Sequence, residues 1–238
     1  MPDSTKTRRP IRPTEGFSTA RLSAHPDRPV RLLLPSDYQP KYAYPLIVLF
    51  HPDSGDEDTA ARLAPLLSRR NYVVACPRGP VRLGPDANGR RGFGWGDGSR
   101  GERYLRGVVK HACREYHVHA DRVYCVGIGE GAAIAYRFGL EMLNAAGVVA
   151  LNGALPQLPN KIAPGVRVFV GHGANNPVVP VSVARKSARL LTAAGADVRF
   201  ETYPTTHTPG EAMLRAVNNW IMTAVNTDPD QPPRAESL

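Results

Sequence analysis

Residues 203–207 read Tyr-Pro-Thr-Thr-His, and His207 carries a side chain able to take up or release a proton near neutral pH. A base of this kind activates a hydroxyl, a thiol or a water molecule, so its partner decides the reaction. One place for a partner is the stretch RVYCVGIGEGAAIAY at 122–136, where an apolar run leads into glycines at Gly127, Gly129 and Gly131 before small residues open a helix. The apex of that turn is Gly129, which offers neither oxygen nor sulfur. Glu130 is a carboxylate with potential as base or nucleophile, and Ser54 and Ser99 are hydroxyls that a rebuilt site would draw on. His117, His119 and Asp121 form H-x-H-x-D, a set of metal-ligand types, but no further histidine is adjacent and the set falls between a helix and a strand. It reads as a surface turn, and no metal is expected. Gly127, Gly129 and Ala132 fit a loose dinucleotide fingerprint. That turn does not open the first βαβ unit, and no acidic residue ends a strand about 20 residues later, so no cofactor is expected.

The elements that would hold these residues follow from hydrophobic patterning. Short apolar runs at 30–34, 45–50, 72–76, 122–126, 147–151, 166–170 and 198–203 alternate with amphipathic stretches at 57–70, 101–117, 181–194 and 211–224. From 45 to 170 most runs are apolar on successive residues, as in parallel strands covered on both faces. The first and last runs alternate more, as edge strands do. Strand and helix in alternation predict a doubly wound, mostly parallel sheet with helices on both faces. The chain divides into a polar, basic tail at 1–27, one domain at 28–225 and a polar tail at 226–238, and no insert is long enough to fold as a separate cap.

The 238 residues are 42% hydrophobic and 21% charged, an ordinary globular balance. No run approaches a membrane span, no apolar segment follows the basic N-terminus, and Cys76, Cys113 and Cys125 are an odd, widely spaced set that reads as buried thiols rather than disulfides or zinc ligands. Together these predict a cytoplasmic protein with no membrane association. The net charge of +9 invites a nucleic-acid partner, yet only five of the thirty basic residues are lysine and most arginines are scattered over helices, as on a solvated surface. The exception is the loop at 82–106, with six arginines, seven glycines, Phe93 and Trp95, which resembles RGG-type RNA-binding segments. A rim loop around a pocket is the preferred reading, and RNA binding is the alternative.

Four segments in chain order resemble one family. PLIVLFHPDSGDEDTA at 45–60 is similar to the H-G-x-G-G turn that supplies an oxyanion-hole amide, and 122–136 to the G-x-S-x-G nucleophile elbow. VFVGHGANNPVVP, from 168, resembles the H-G-x-x-D-x-V-V-P segment that carries the acid, and Tyr203–His207 the Y-x-x-x-H turn that carries the base. The chain is identified as resembling the phospholipase/carboxylesterase branch of the α/β-hydrolases, close to predicted esterases and dienelactone hydrolases, over about residues 28–225. The resemblance implies cofactor-free hydrolysis of a small carboxylic ester or thioester through an acyl-serine. It places the base at His207, the nucleophile at Gly129, the acid at Asn176, oxyanion-hole positions at Asp53 and Glu130, and a pocket rim at His51, Phe93 and Trp95. Two of the three triad groups are therefore missing, and Pro52 replaces a glycine of the oxyanion turn. The expectation is an inactive or strongly impaired hydrolase. An active esterase rebuilt around Ser54, Ser99 or Glu130 is the second possibility.

Overall fold

The computed structural model describes residues 16–85, 89, 91–96, 101–160 and 162–227. Its strands are β1 (Gly16–Leu22), β2 (His25–Leu34), β3 (Tyr44–Phe50), β4 (Val73–Pro77), β5 (Val81–Pro85), β6 (Arg91–Gly94), β7 (Val118–Ile128), β8 (Gly147–Leu151), β9 (Arg167–Gly173) and β10 (Asp197–Tyr203). The helices are α1 (Glu57–Leu67), α2 (Glu102–Glu115), α3 (Gly131–Tyr136), α4 (Val181–Ala193) and α5 (Glu211–Asn226), with a π-helical turn at Arg137–Met142 continuing α3. Eight strands form one sheet in the order β1-β2-β4-β3-β7-β8-β9-β10, and β5 pairs with β6 as a separate hairpin. From β4 to β10 every neighbouring pair is parallel, and β1 and β2 are antiparallel additions at one side. This is the mostly parallel, two-sided sheet that the alternation of runs predicts, and it agrees with the α/β-hydrolase fold that the resemblance implies.

Burial explains why the central strands read as continuous apolar runs. β3, β4 and β8 are buried at every position. In β3, Leu46, Val48 and Phe50 pack on the face covered by α2, α3 and α4, while Ile47 and Leu49 pack on the face covered by α1 and α5. Alternate side chains thus enter two cores. No described helix is long and apolar enough to cross a membrane. Of the three thiols read as buried, Cys76 and Cys125 are buried and free, whereas Cys113, free as well, is exposed because it lies on the solvent side of the amphipathic α2 rather than in a strand.

Three further features differ from the sequence reading. The sheet begins at Gly16, inside the stretch read as a loose tail, because β1 pairs along β2 from Gly16↔Leu34 to Leu22↔His25. The run at 30–34 is consequently an interior strand between β1 and β4, and its alternation marks a sheet margin rather than an edge. Part of the 82–106 loop is the ordered β5–β6 hairpin, tied to the loop after β3 by the Phe93 N–H donating to the Gly55 carbonyl at 2.8 Å. Residues 86–88, 90 and 97–100 of that loop, and with them Ser99, lie outside the described residues.

Candidate active site

β7 ends at Ile128, and the chain turns into α3 through Gly129 with φ +56°, a left-handed conformation that glycine adopts without strain. The flanking glycines are there for space. A Cβ on Gly127 would collide with the Gly131 carbonyl, and one on Gly131 would lie 2.6 Å from the carbonyl oxygens of Phe50 and His51. The turn is a sharp strand-to-helix elbow pressed against the end of β3.

His207 stands over this elbow. A Cβ built on Gly129 would lie 3.2 Å from His207 Nε2 and 3.3 Å from Pro52 Cβ. Any side chain at position 129 would therefore start against the imidazole. His207 sits in the loop between β10 and α5, and that loop is laced to the β9–α4 loop: Ala174 N–H donates to the Tyr203 carbonyl (2.7 Å) and Asn175 N–H to the Thr205 carbonyl (3.1 Å). Asn152, fully buried at the end of β8, ties both loops down. Its Nδ2 donates to the His207 carbonyl at 2.7 Å, and its Oδ1 accepts from Gly173 N–H at 2.7 Å. The sequence reading passed over Asn152. The only signal for it is an asparagine directly after an apolar strand.

Asn176, at the position where the resemblance implies an acid, lies against the His207 ring. Its Oδ1 accepts the backbone N–H groups of Val178 (2.9 Å) and Val179 (3.1 Å), which fixes which amide atom is oxygen. The same oxygen lies 3.3 Å from His207 Nδ1, so Nδ1 must carry the hydrogen and Nε2, facing Gly129, keeps its lone pair. This is the tautomer a general base needs. No negative charge accompanies it. Burial, and secondarily the neighbouring His172, hold His207 below the ordinary histidine value, so the ring is neutral at physiological pH. His172 is itself oriented by its Nε2–H donating to the Val179 carbonyl at 2.8 Å. The nearby Asn176 Nδ2, 3.5 Å away, is then a donor facing a donor.

The two positions at which the resemblance implies oxyanion donors, Asp53 and Glu130, both carry carboxyl side chains. Among the described residues, no backbone acceptor meets the Asp53 or the Glu130 amide N–H, and both residues are exposed. The side chains of the same two residues pair with each other. Loss of solvent around the Glu130 carboxyl, its hydrogen bond to Asp53 and repulsion between the two groups push Glu130 up to about 7, against the Trp95 N–H that donates to it. A second negative charge developing beside the pair would be opposed whenever both carboxyls are ionised.

The expected rim is mostly interior. His51 is fully buried, with Nδ1–H donating to the Pro52 carbonyl (2.8 Å) and Nε2 accepting from Gly79 N–H (2.9 Å). Burial keeps it neutral. Trp95 is buried too, its Nε1–H donating to the His51 carbonyl at 2.9 Å while the two rings lie 4.7 Å apart. Both residues brace the turn after β3 because each finds a backbone partner there, and neither stands at a rim. Phe93 is half-buried, with the Arg78 guanidinium 4.5 Å above its ring. Ser54 is exposed at φ +57°. Among the H-x-H-x-D residues, His117 Nδ1 donates to the Pro40 carbonyl (2.8 Å) and His119 Nδ1 accepts from Asp121 N–H (3.3 Å), so both rings are engaged by backbone.

A phospholipase/carboxylesterase family profile matches residues 41–225, the span that holds the elbow, both loops and the turn after β3. The chain belongs to the phospholipase/carboxylesterase family. It is 30% identical over 126 residues to acyl-protein thioesterase 1 of Debaryomyces hansenii, covering 49% of this chain and 54% of that protein. The same identity holds over 129 residues with acyl-protein thioesterase 1 of Cryptococcus neoformans, covering 44% and 53%. The chain thus matches about half the length of these relatives. In fold it is similar to a Bacillus cereus carboxylesterase (TM-score 0.62, 22% identity, 76% of this chain and 89% of that one). It is also similar to a Mesorhizobium loti carboxylesterase (TM-score 0.67, 19% identity, 86% and 98%).

Proposed function

We propose that this chain is an inactive or strongly impaired family member, a pseudo-hydrolase that keeps the elbow, the oriented base and room for a small carboxylic-ester-like ligand. The observation that carries this is the 3.2 Å separation between His207 Nε2 and the Cβ position of a glycine. The base is aimed at a residue with no proton to give and no atom to form an acyl-enzyme. Asn176 adds a second deficit, since an amide in the acid's place keeps the tautomer but leaves an imidazolium unstabilised, a change that costs on the order of 10⁴ in turnover in a serine protease. The Asp53–Glu130 pair adds a third, since it opposes a further negative charge whenever both carboxyls are ionised. A cytoplasmic setting belongs to the same proposal and rests on the three free thiols. The test is turnover of p-nitrophenyl acetate and butyrate by the purified chain beside its His207→Ala variant. The two are expected to match at a rate close to buffer, and a rate well above buffer that disappears with His207→Ala overturns the proposal.

One observation favours a second reading, ester hydrolysis through a rebuilt site. Glu130 directly follows the elbow and exchanges its proton near pH 7, so it has the acidity of a general acid or base for water attack. In that case turnover would survive His207→Ala and be lost in Glu130→Gln.

A further inference from the structure

Beside the elbow, α3 and the π-helical turn face the segment 156–160 across a cavity of about 500 Å³, within the range of small-molecule sites. Half of its lining residues are polar: Glu130, Tyr136, Arg137, Glu141, Gln157 and Asn160. Ala133, Ile134 and Leu158 supply apolar surface between them. Tyr136 is 1% exposed and its hydroxyl has no hydrogen-bond partner among the described residues. A buried hydroxyl left without a partner costs free energy that a bound ligand would recover. Glu141 spans the two walls by accepting the Asn160 N–H at 3.1 Å.

The chemistry of the lining sorts the candidates. An acyl chain would strip water from Arg137 and Glu141 and return no hydrogen bonds. An anion would meet Arg137 but also the glutamates at 130 and 141, and a cation would meet the reverse problem. A neutral ligand with several hydroxyls avoids both penalties, because each hydroxyl donates to a carboxylate or amide oxygen and accepts from an amide, guanidinium or phenol. A ring with hydroxyls at its edge and C–H groups on its faces also covers the apolar patches. From the cavity, its polar lining and the unpartnered Tyr136 hydroxyl we infer that this site binds a neutral polyhydroxylated ring, a monosaccharide or a cyclitol. The inference needs no catalytic step and stands apart from the fate of the elbow.

The experiment is an amide ¹H–¹⁵N titration of the full chain with methyl α-D-glucopyranoside, methyl β-D-xylopyranoside and myo-inositol, beside octanoate, inorganic phosphate and cadaverine. At least one of the three polyols is expected to give saturable shifts concentrated at residues 130–141 and 156–160. Tyr136→Phe, which deletes the hydroxyl and little else, should weaken that binding about three- to tenfold. Ala133→Phe, which fills the cavity, should abolish it. Failure of all three polyols to saturate at tens of millimolar, tighter binding of octanoate, phosphate or cadaverine at the same residues, or an unchanged affinity in Tyr136→Phe overturns the inference.

Discussion

A serine placed at residue 129 would enter the chain at φ +56° and put its Cβ 3.2 Å from His207 Nε2, so both backbone and imidazole would have to adjust. Gly129→Ser is therefore expected to destabilise the protein by about 1–3 kcal/mol, read by urea denaturation. Position 176 makes the opposite kind of prediction, because an aspartate there would accept the same two backbone N–H groups and add the missing charge. In the present chain His207 lies below its ordinary value of 6.5, so the unfolded chain binds the proton more readily. The stability owed to this group is then lost as pH falls from that value through the folded one. In Asn176→Asp the carboxylate should raise the His207 pKa above the unfolded value. The contribution then reverses, full below the unfolded value and lost as pH rises through the folded one. Long-range ¹H–¹⁵N titration of the imidazole checks the pKa, and denaturation across about pH 5–8 checks the sign.

At the scale of the elements, the site depends on two loops that share one buried anchor. Asn152 is unexposed, adopts φ +56° and serves a donor in one loop and an acceptor in the other. Asn152→Ala should cost roughly 2–4 kcal/mol, as the Gly173 N–H and the His207 carbonyl lose their partner and alanine takes a left-handed backbone. Denaturation measures the cost, and broadening of the His207 ring signals would report that the loop has loosened. The helices α1, α2, α4 and α5 were legible within about three residues, since each shows its apolar stripe and α1 stops where Ser68 leaves helical geometry. β1 was not legible. Its side chains alternate between half-buried and exposed; on its partner β2, Pro29 falls where β2 pairs with β1 alone and Pro26 at the register shift beside Leu22, so neither proline breaks a central ladder. The π-helical turn was hidden for a different reason. Its Leu143 N–H to Phe138 carbonyl bond, at 2.9 Å, is a wider turn that no residue spacing announces.

For the molecule as a whole, the order of strand ends and loops along the chain was enough to bring residues 129, 176 and 207 together, because each lies just past the carboxyl end of a parallel strand. Side-chain environment was less accessible to sequence reasoning. The interior placement of His51 and Trp95, the Asp53–Glu130 pair and the anchoring by Asn152 all depend on contacts between segments far apart in the chain. On the proposed function, the hydrolase geometry persists around a site with no nucleophile. The most direct measurement is intact mass after exposure to an active-site-directed fluorophosphonate, for the natural chain and for Gly129→Ser combined with Asn176→Asp. The natural chain should remain unmodified, and the folded double variant should gain one adduct, mapped by peptide analysis to residue 129. An adduct on the natural chain, or a folded double variant that stays unlabelled, would overturn the proposed function.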